Sequence, residues 1–377
     1  MIRCLVVDDA RAFRAVLRHI LSAAPGVEVV GEAADGREAV ALVRSLRPDV
    51  VTMDVRMPNL DGLAAIQQIM QVAPTPVIVV SAEAGEEAQQ LSFRALQFGA
   101  IEVLAKPRDA GTARFERQAE AIRQAVRAVA GLVLVGRRRP SADPLIVFRP
   151  TPWPQPLAHG PGTPSPPVHG AVTPSLPLLA AATPPEVLAL AASTGGPAAL
   201  EAILSRLPAG LPLPILIVQH IAPGFESGLV RWLAGSTPLA VRMAEHGAEL
   251  RPGTVYFGAC GRHLGVRAGR IQLGDDPPIQ GFQPSATHLF SSVAREYGAR
   301  GAGIVLTGMG RDGAAGLDDL RRAGGYTAAQ SEASSVVFGM PKAALEAGAT
   351  ARAIDLDDLP AEIVRLARGA TATRPPA

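Results

Sequence analysis

Near the amino terminus stands Arg3-Cys4-Leu5-Val6-Val7-Asp8-Asp9, an apolar run that ends on two carboxylates. The form returns at Val50-Val51-Thr52-Met53-Asp54, at Val77-Ile78-Val79-Val80-Ser81, and at Ile101–Leu104 ahead of Ala105-Lys106-Pro107. Short apolar runs of this kind predict strands buried on both faces, as in a parallel sheet. Another run covers Val27–Val30, and helical patterns begin near Arg11, Gly36, Gly62, Glu86 and after Asp109. Five strands alternating with five helices predict a doubly wound α/β domain whose chemistry lies at the carboxyl ends of its strands.

That edge collects Asp8, Asp9, Asp54, Ser81 and Lys106. Three carboxylates repel one another unless a divalent cation shares them, and Mg²⁺ suits a site that must also admit a phosphate group. An aspartate beside such an ion is able to attack a phosphoryl group and become an acyl phosphate. Ser81 and Lys106 would then hold the phosphoryl oxygens. Lys106 is one of two lysines among 36 basic residues, which favours a chosen point charge over compositional habit. One strand-end aspartate alone would read as a helix cap. Five positions in the right order exceed that reading.

The chain's other end repeats the alternation with different residues. Val187–Ala191, Ile215–Val218, Val255–Phe257, Ile304–Leu306 and Tyr326–Ala329 read as strands. Helical patterns cover Ala198–Arg206, Glu226–Ala234, Ser285–Tyr297 and Ala314–Ala323, and Leu264–Val266 with Ile271–Leu273 flank a hairpin turn at Ala268-Gly269. Between the halves, residues 140–185 hold 14 of the 34 prolines, a composition that predicts a semi-rigid, partly extended linker. Arg137-Arg138-Arg139 reads as a solvated helix end. The expected division is a first domain over 1–125, a helix end and linker over 126–185, a second domain over 186–370, and a flexible tail over 371–377.

In the second domain three strand ends deliver Ser193, His220 and Asp312 to one edge. Nucleophilic hydrolysis needs this set: the serine attacks, the histidine takes and returns a proton, and the carboxylate orients the imidazole. Ser193-Thr194-Gly195-Gly196-Pro197 and Gly308-Met309-Gly310 let backbone N–H groups near Thr194 or Met309 approach an oxyanion. Taken alone, the first of these turns suits phosphate cradling, helix capping or presenting a nucleophile, with helix capping the foremost reading. His19, His159, His169, His246, His263 and His288 read as surface or packing residues, and Asp275-Asp276 and Asp318-Asp319 as turn and helix-surface acids.

Charge narrows the classes further. Residues 1–123 carry 14 basic and 16 acidic groups, and residues 186–377 carry 17 of each, so neither domain has the basic footprint of a nucleic-acid reader. A dinucleotide site is disfavoured because the glycine turn lacks the G-x-G-x-x-G spacing and its acidic partner. Cys4 and Cys260 form no disulfide framework, and no apolar stretch is long enough for a membrane span. A cytoplasmic monomer without direct membrane insertion is expected.

Leu5–Asp9, Thr52–Pro58, Asp61-Gly62, Val80–Ala82 and Ala105–Pro107 together resemble a response-regulator receiver domain, which has a flavodoxin-like fold. The resemblance implies that Asp54 is the phosphoacceptor, with Asp8 and Asp9 serving Mg²⁺. Val103 departs from the aromatic residue many receivers carry three positions before the lysine. Ala192–Pro197, Val218–Phe225, Gly261–Leu264, Leu306–Gly313 and Val337–Pro341 are similar to the catalytic domain of chemotaxis protein-glutamate methylesterases, the CheB family, a Rossmann-like fold. That likeness implies demethylation of glutamate γ-methyl esters on chemoreceptor helices, with release of methanol, and deamidation of receptor glutamines. It also implies phosphorylation by a chemotaxis histidine kinase, and no cofactor for ester hydrolysis. Ser193 would be the nucleophile, His220 the general base and acid, and Asp312 the orienting carboxylate. Thr287 stands where the family more usually has aspartate.

Overall fold

The computed structural model describes residues 1–81, 86–138, 144–150 and 184–369. The first domain runs β1 (Ile2–Val7), α1 (Arg11–Ser22), β2 (Val27–Ala33), α2 (Gly36–Leu46), β3 (Val50–Met53), α3 (Gly62–Val72), β4 (Val77–Ser81), α4 (Glu86–Gln97), β5 (Glu102–Ala105) and α5 (Ala113–Val129). Its sheet is parallel throughout, in the order β2-β1-β3-β4-β5. Every residue of β3 and β4 is buried, which explains why those runs are apolar without alternation. Asp35, Asp61 and Thr112 start α2, α3 and α5 by accepting backbone N–H bonds on their side chains. Gly62 lets α3 press against the Asp54 turn: a Cβ there would meet the Asp54 carbonyl oxygen at 2.1 Å.

After α5, β6 (Leu132–Arg138) and β7 (Pro144–Pro150) pair antiparallel. Arg137 and Arg138 therefore belong to a strand, not to the helix end the sequence suggested. The apolar Leu132-Val133-Leu134-Val135 run favours strand pairing once α5 has stopped at Val129. The sequence predicts a proline-rich linker over 140–185, yet its residues 144–150 form β7; residues 151–183 and the tail over 371–377 fall outside the described residues, and those expectations with them.

The second domain comprises β8 (Val187–Ala192), α6 (Gly196–Leu204), β9 (Ile215–Gln219), α7 (Glu226–Ala234), β10 (Ala240–Met243), β11 (Thr254–Phe257), β12 (His263–Arg267), β13 (Arg270–Gly274) and α8 (Ala286–Tyr297). It continues through β14 (Gly301–Val305), α9 (Ala314–Arg322), β15 (Tyr326–Gln330), α10 (Met340–Glu346), β16 (Ala353–Ile354) and α11 (Leu359–Ala367). Seven parallel strands lie in the order β10-β11-β9-β8-β14-β15-β16, and β12 and β13 form a separate hairpin. The fully buried strands β9, β8 and β14 are neighbours at the centre. The loops that follow these three strands carry His220, Ser193 and Asp312 respectively.

The domains meet through α4 and α7. Phe93 is completely buried, with its ring 6.1 Å from Trp232 in a stacked arrangement and 6.4 Å edge-on from Phe225. These aromatic pairs join the first domain's α4 to the helix that follows the His220 loop.

Candidate active site

Ser193 follows the central strand β8, and its backbone is tied on both sides. Its N–H donates to the Thr307 carbonyl at 3.0 Å, and its carbonyl accepts from Gly196 N–H at 2.7 Å and from Gln219 Nε2 at 2.9 Å. Gly308 packs so closely that a Cβ there would stand 2.7 Å from Ser193 Cβ. Thr194 and Met309, the oxyanion candidates, line the same cleft as Ser193.

His220 Nε2 lies 3.0 Å from Asp312 Oδ2. Its other nitrogen, Nδ1, is buried and has no hydrogen-bond partner among the described residues. The Ser193 hydroxyl is therefore not yet bonded to the imidazole in this structure. A ring that gives Nε2–H to the carboxylate keeps the Nδ1 lone pair available as a base. Phe282 stacks on the imidazole at 3.9 Å, nearly parallel at 7°. Nothing in the local sequence marked Phe282 as a site residue, since the loop after the hairpin reaches His220 only through tertiary packing.

Asp312 is completely buried at the amino end of α8. Ser285, the cap of that helix, donates its hydroxyl to Oδ1 at 2.7 Å, and the Ala286 and Thr287 N–H groups donate to Oδ2 and Oδ1 at 2.7 and 3.1 Å. Burial alone would raise this carboxyl, but the His220 bond and charge, then Ser285 and Ala286, outweigh it and hold it at about 2. Thr287 takes part locally: its hydroxyl accepts from Gly313 N–H at 2.9 Å. His263 begins β12 with no exposed surface; its Nδ1 accepts from Ser285 N–H at 3.2 Å.

At the first domain's edge, Lys106 Nζ contacts Asp8 Oδ2 at 2.6 Å and Asp54 Oδ2 at 2.7 Å. Burial would lower the lysine, but Asp54 and then Asp8 raise it above its ordinary value. Burial also pushes Asp8 above the usual carboxylate range, against the bonds and charge of Lys106. Asp8, Asp9 and Asp54 offer oxygens that all lie within 4.8 Å of one another. Three hard oxygen donors facing a single ammonium fit a Mg²⁺ ion. Ser81 is buried at the end of β4, and its carbonyl accepts from Lys106 N–H at 2.8 Å.

A cleft of about 930 Å³ lies between the domains, with Ser193 and His220 on one wall and β5 and α5 residues, including Glu102, Val103, Arg114 and Arg117, on the other. Glu102 Oε2 is buried without a partner among the described residues. Burial pushes the Glu102 carboxyl up to about 7, and a hydrogen bond from Thr194 only partly offsets this. Cys260 also lines the cleft, but burial and then Glu226 push its thiol up to about 12, so it supplies no thiolate at neutral pH.

A receiver-like domain set against a parallel-sheet domain with serine, histidine and aspartate at its edge defines a response regulator with an enzymatic output. The response regulator receiver domain profile matches residues 4–114, and the CheB methylesterase profile matches residues 188–363. A protein-glutamate methylesterase/protein-glutamine glutaminase of Anaeromyxobacter dehalogenans is 43% identical over 97% of both chains. One of Myxococcus xanthus is 44% identical over 98% of both. Among solved structures, the Thermotoga maritima CheB methylesterase catalytic domain is 33% identical with a TM-score of 0.47, covering 48% of this chain and 98% of its own. The chain belongs to the CheB methylesterase family. No helix among the described residues is long and apolar enough to cross a membrane.

Proposed function

We propose that this chain is a phosphorylation-activated esterase that hydrolyses glutamate γ-methyl esters on chemoreceptors and deamidates receptor glutamines. The observation that carries the reading is the His220 ring, bound to Asp312 through one nitrogen and bare at the other, in a cleft shared with Ser193. His220 Nδ1 takes the hydroxyl proton as Ser193 Oγ attacks the ester carbonyl. The tetrahedral oxyanion faces N–H groups near Thr194 and Met309. As it collapses, His220 returns the proton and methanol leaves, or ammonia when the substrate is a glutamine. Water then attacks the acyl-serine with His220 again as base, releasing glutamate and restoring Ser193. Asp312, held by its helix-end cradle, stabilises the imidazolium formed in each step.

The receiver (1–125) regulates this site by standing across it, tethered to the catalytic domain (186–370) through the intervening linker (126–185). The Asp54 carboxylate attacks the phosphorus of a phosphohistidine on a chemotaxis histidine kinase, and the histidine nitrogen departs. Asp8, Asp9 and Asp54 would hold Mg²⁺, which when bound supplies positive charge to the incoming phosphoryl oxygens. Lys106, now shared by Asp8 and Asp54, turns to the phosphoryl group together with Ser81, and the docking equilibrium shifts. The enzyme acts as a cytoplasmic monomer on the receptors' cytoplasmic helices.

Methanol release from methylated receptor membranes, with and without a small-molecule phosphodonor and Mg²⁺, tests the reading. The rate rises with the phosphodonor; equal rates contradict the switch.

A further inference from the structure

The stretch Gly261-Arg262-His263-Leu264 carries a histidine that the hydrolytic steps leave unused. His263 has no exposed surface, and both of its ring nitrogens are engaged. Nδ1 accepts from Ser285 N–H at 3.2 Å, and Nε2 lies 3.1 Å from the Pro277 carbonyl. An amide can only donate and a carbonyl can only accept, so the ring carries its proton on Nε2. The His288 ring stands edge-on at 4.7 Å and 84°, fixing the plane from the side.

Ser285 is the residue through which α8 meets Asp312. Its hydroxyl donates to Oδ1, and the next two amides complete the cradle. A shift of Ser285 would move these three bonds together and so swing Oδ2 away from His220.

We propose that His263 is a positioning residue of the hydrolytic site: its imidazole pins the Ser285 amide, and through the first turn of α8 it sets the carboxylate that orients His220. The inference rests on the serine–histidine–aspartate reading above. A buried histidine that merely filled space would be replaceable by an apolar side chain of similar volume. A histidine that acts through its Nδ1 acceptor is replaceable only by a side chain that keeps an acceptor there.

His263→Leu removes the acceptor, whereas His263→Asn places a carbonyl oxygen near the Nδ1 position. Both are made in the full chain and assayed for methanol release, with kcat and KM separated, and the downfield proton of the His220–Asp312 bond is followed by NMR. The Leu variant is expected to lose kcat by roughly 10- to 100-fold with KM within about twofold, and to lose that resonance. The Asn variant is expected to keep both. Should the Leu variant not fold, His263→Gln, whose acceptor lies one bond farther out, is expected to be impaired where Asn is not. Wild-type kcat and resonance in the Leu variant, or equal behaviour of Asn and Gln, overturn the proposal. Ser193→Ala is measured alongside. Turnover surviving there removes the triad and this inference with it, whereas Ser193-dependent turnover indifferent to His263 removes only the inference.

Discussion

Asp312 Oδ2 accepts from both His220 Nε2 and the Ala286 amide, at 3.0 and 2.7 Å. Its other oxygen also meets donors only, Ser285 Oγ and Thr287 N–H. An asparagine in this position must turn an NH₂ group toward an N–H or O–H on whichever side it faces. Asp312→Asn is therefore expected to lower kcat by roughly 10³- to 10⁴-fold, with KM nearly unchanged, in steady-state methanol release.

The same cradle makes a pH prediction. Asp312 is held at about 2 when folded, below the ordinary carboxylate value of about 3.9. A depressed folded value contributes stability above the unfolded pKa, and that stability is lost as pH falls from about 4 through 2. The contribution is on the order of 2 kcal/mol. Urea unfolding of the wild type is expected to lose this increment between those pH values, and Asp312→Asn to lack it.

Glu102 gives the opposite sign. Its carboxyl is raised to about 7 against an ordinary 4.5, first by burial in the cleft beside Thr194. The cleft also holds Arg114 and Arg117 from α5, and His220 and Cys260 from the second domain. Docking is expected to take up a proton at Glu102 between those two values, and so to weaken as pH rises through that window and stay level above it. The unphosphorylated rate, divided by the phosphorylated rate at each pH, should climb from about pH 5.5 to 7 in the wild type. In Glu102→Gln it should stay low and flat.

Gly308 is expected to tolerate no side chain. A Cβ would stand 2.5 Å from the Met340 sulfur and 2.7 Å from Ser193 Cβ, so Gly308→Ala is expected to displace Ser193. Turnover should fall roughly 10²-fold, while phosphate incorporation at Asp54 is unchanged.

Phe93 carries the aromatic contact between α4 and α7. Losing a central buried aromatic weakens an interface by roughly 2–4 kcal/mol. Phe93→Ala should therefore raise the unphosphorylated rate toward the phosphorylated one and shrink the response to a phosphodonor.

Much of this was legible along the chain because strand ends are local features. Asp8, Asp54, Ser193 and His220 each close an apolar run, and Glu226–Ala234 was readable to the residue as α7. The edge strands β10 and β16 escaped, being four and two residues long and without the buried pattern that marked the centre. Phe282, Ser285 and His263 also escaped as parts of the site. They reach it through the β12–β13 hairpin and the start of α8, and no sequence spacing reveals that Ser285 will face Asp312. Glu102 read as one residue of a strand, and only the approach of the second domain makes its carboxyl notable.

The most direct measurement is the rate of methanol release from methylated receptor membranes by fully phosphorylated Ser193→Ala, set against the phosphorylated wild type. A serine activated by His220 predicts a loss of roughly 10³-fold or more with the fold intact. Release at the wild-type rate would contradict the account.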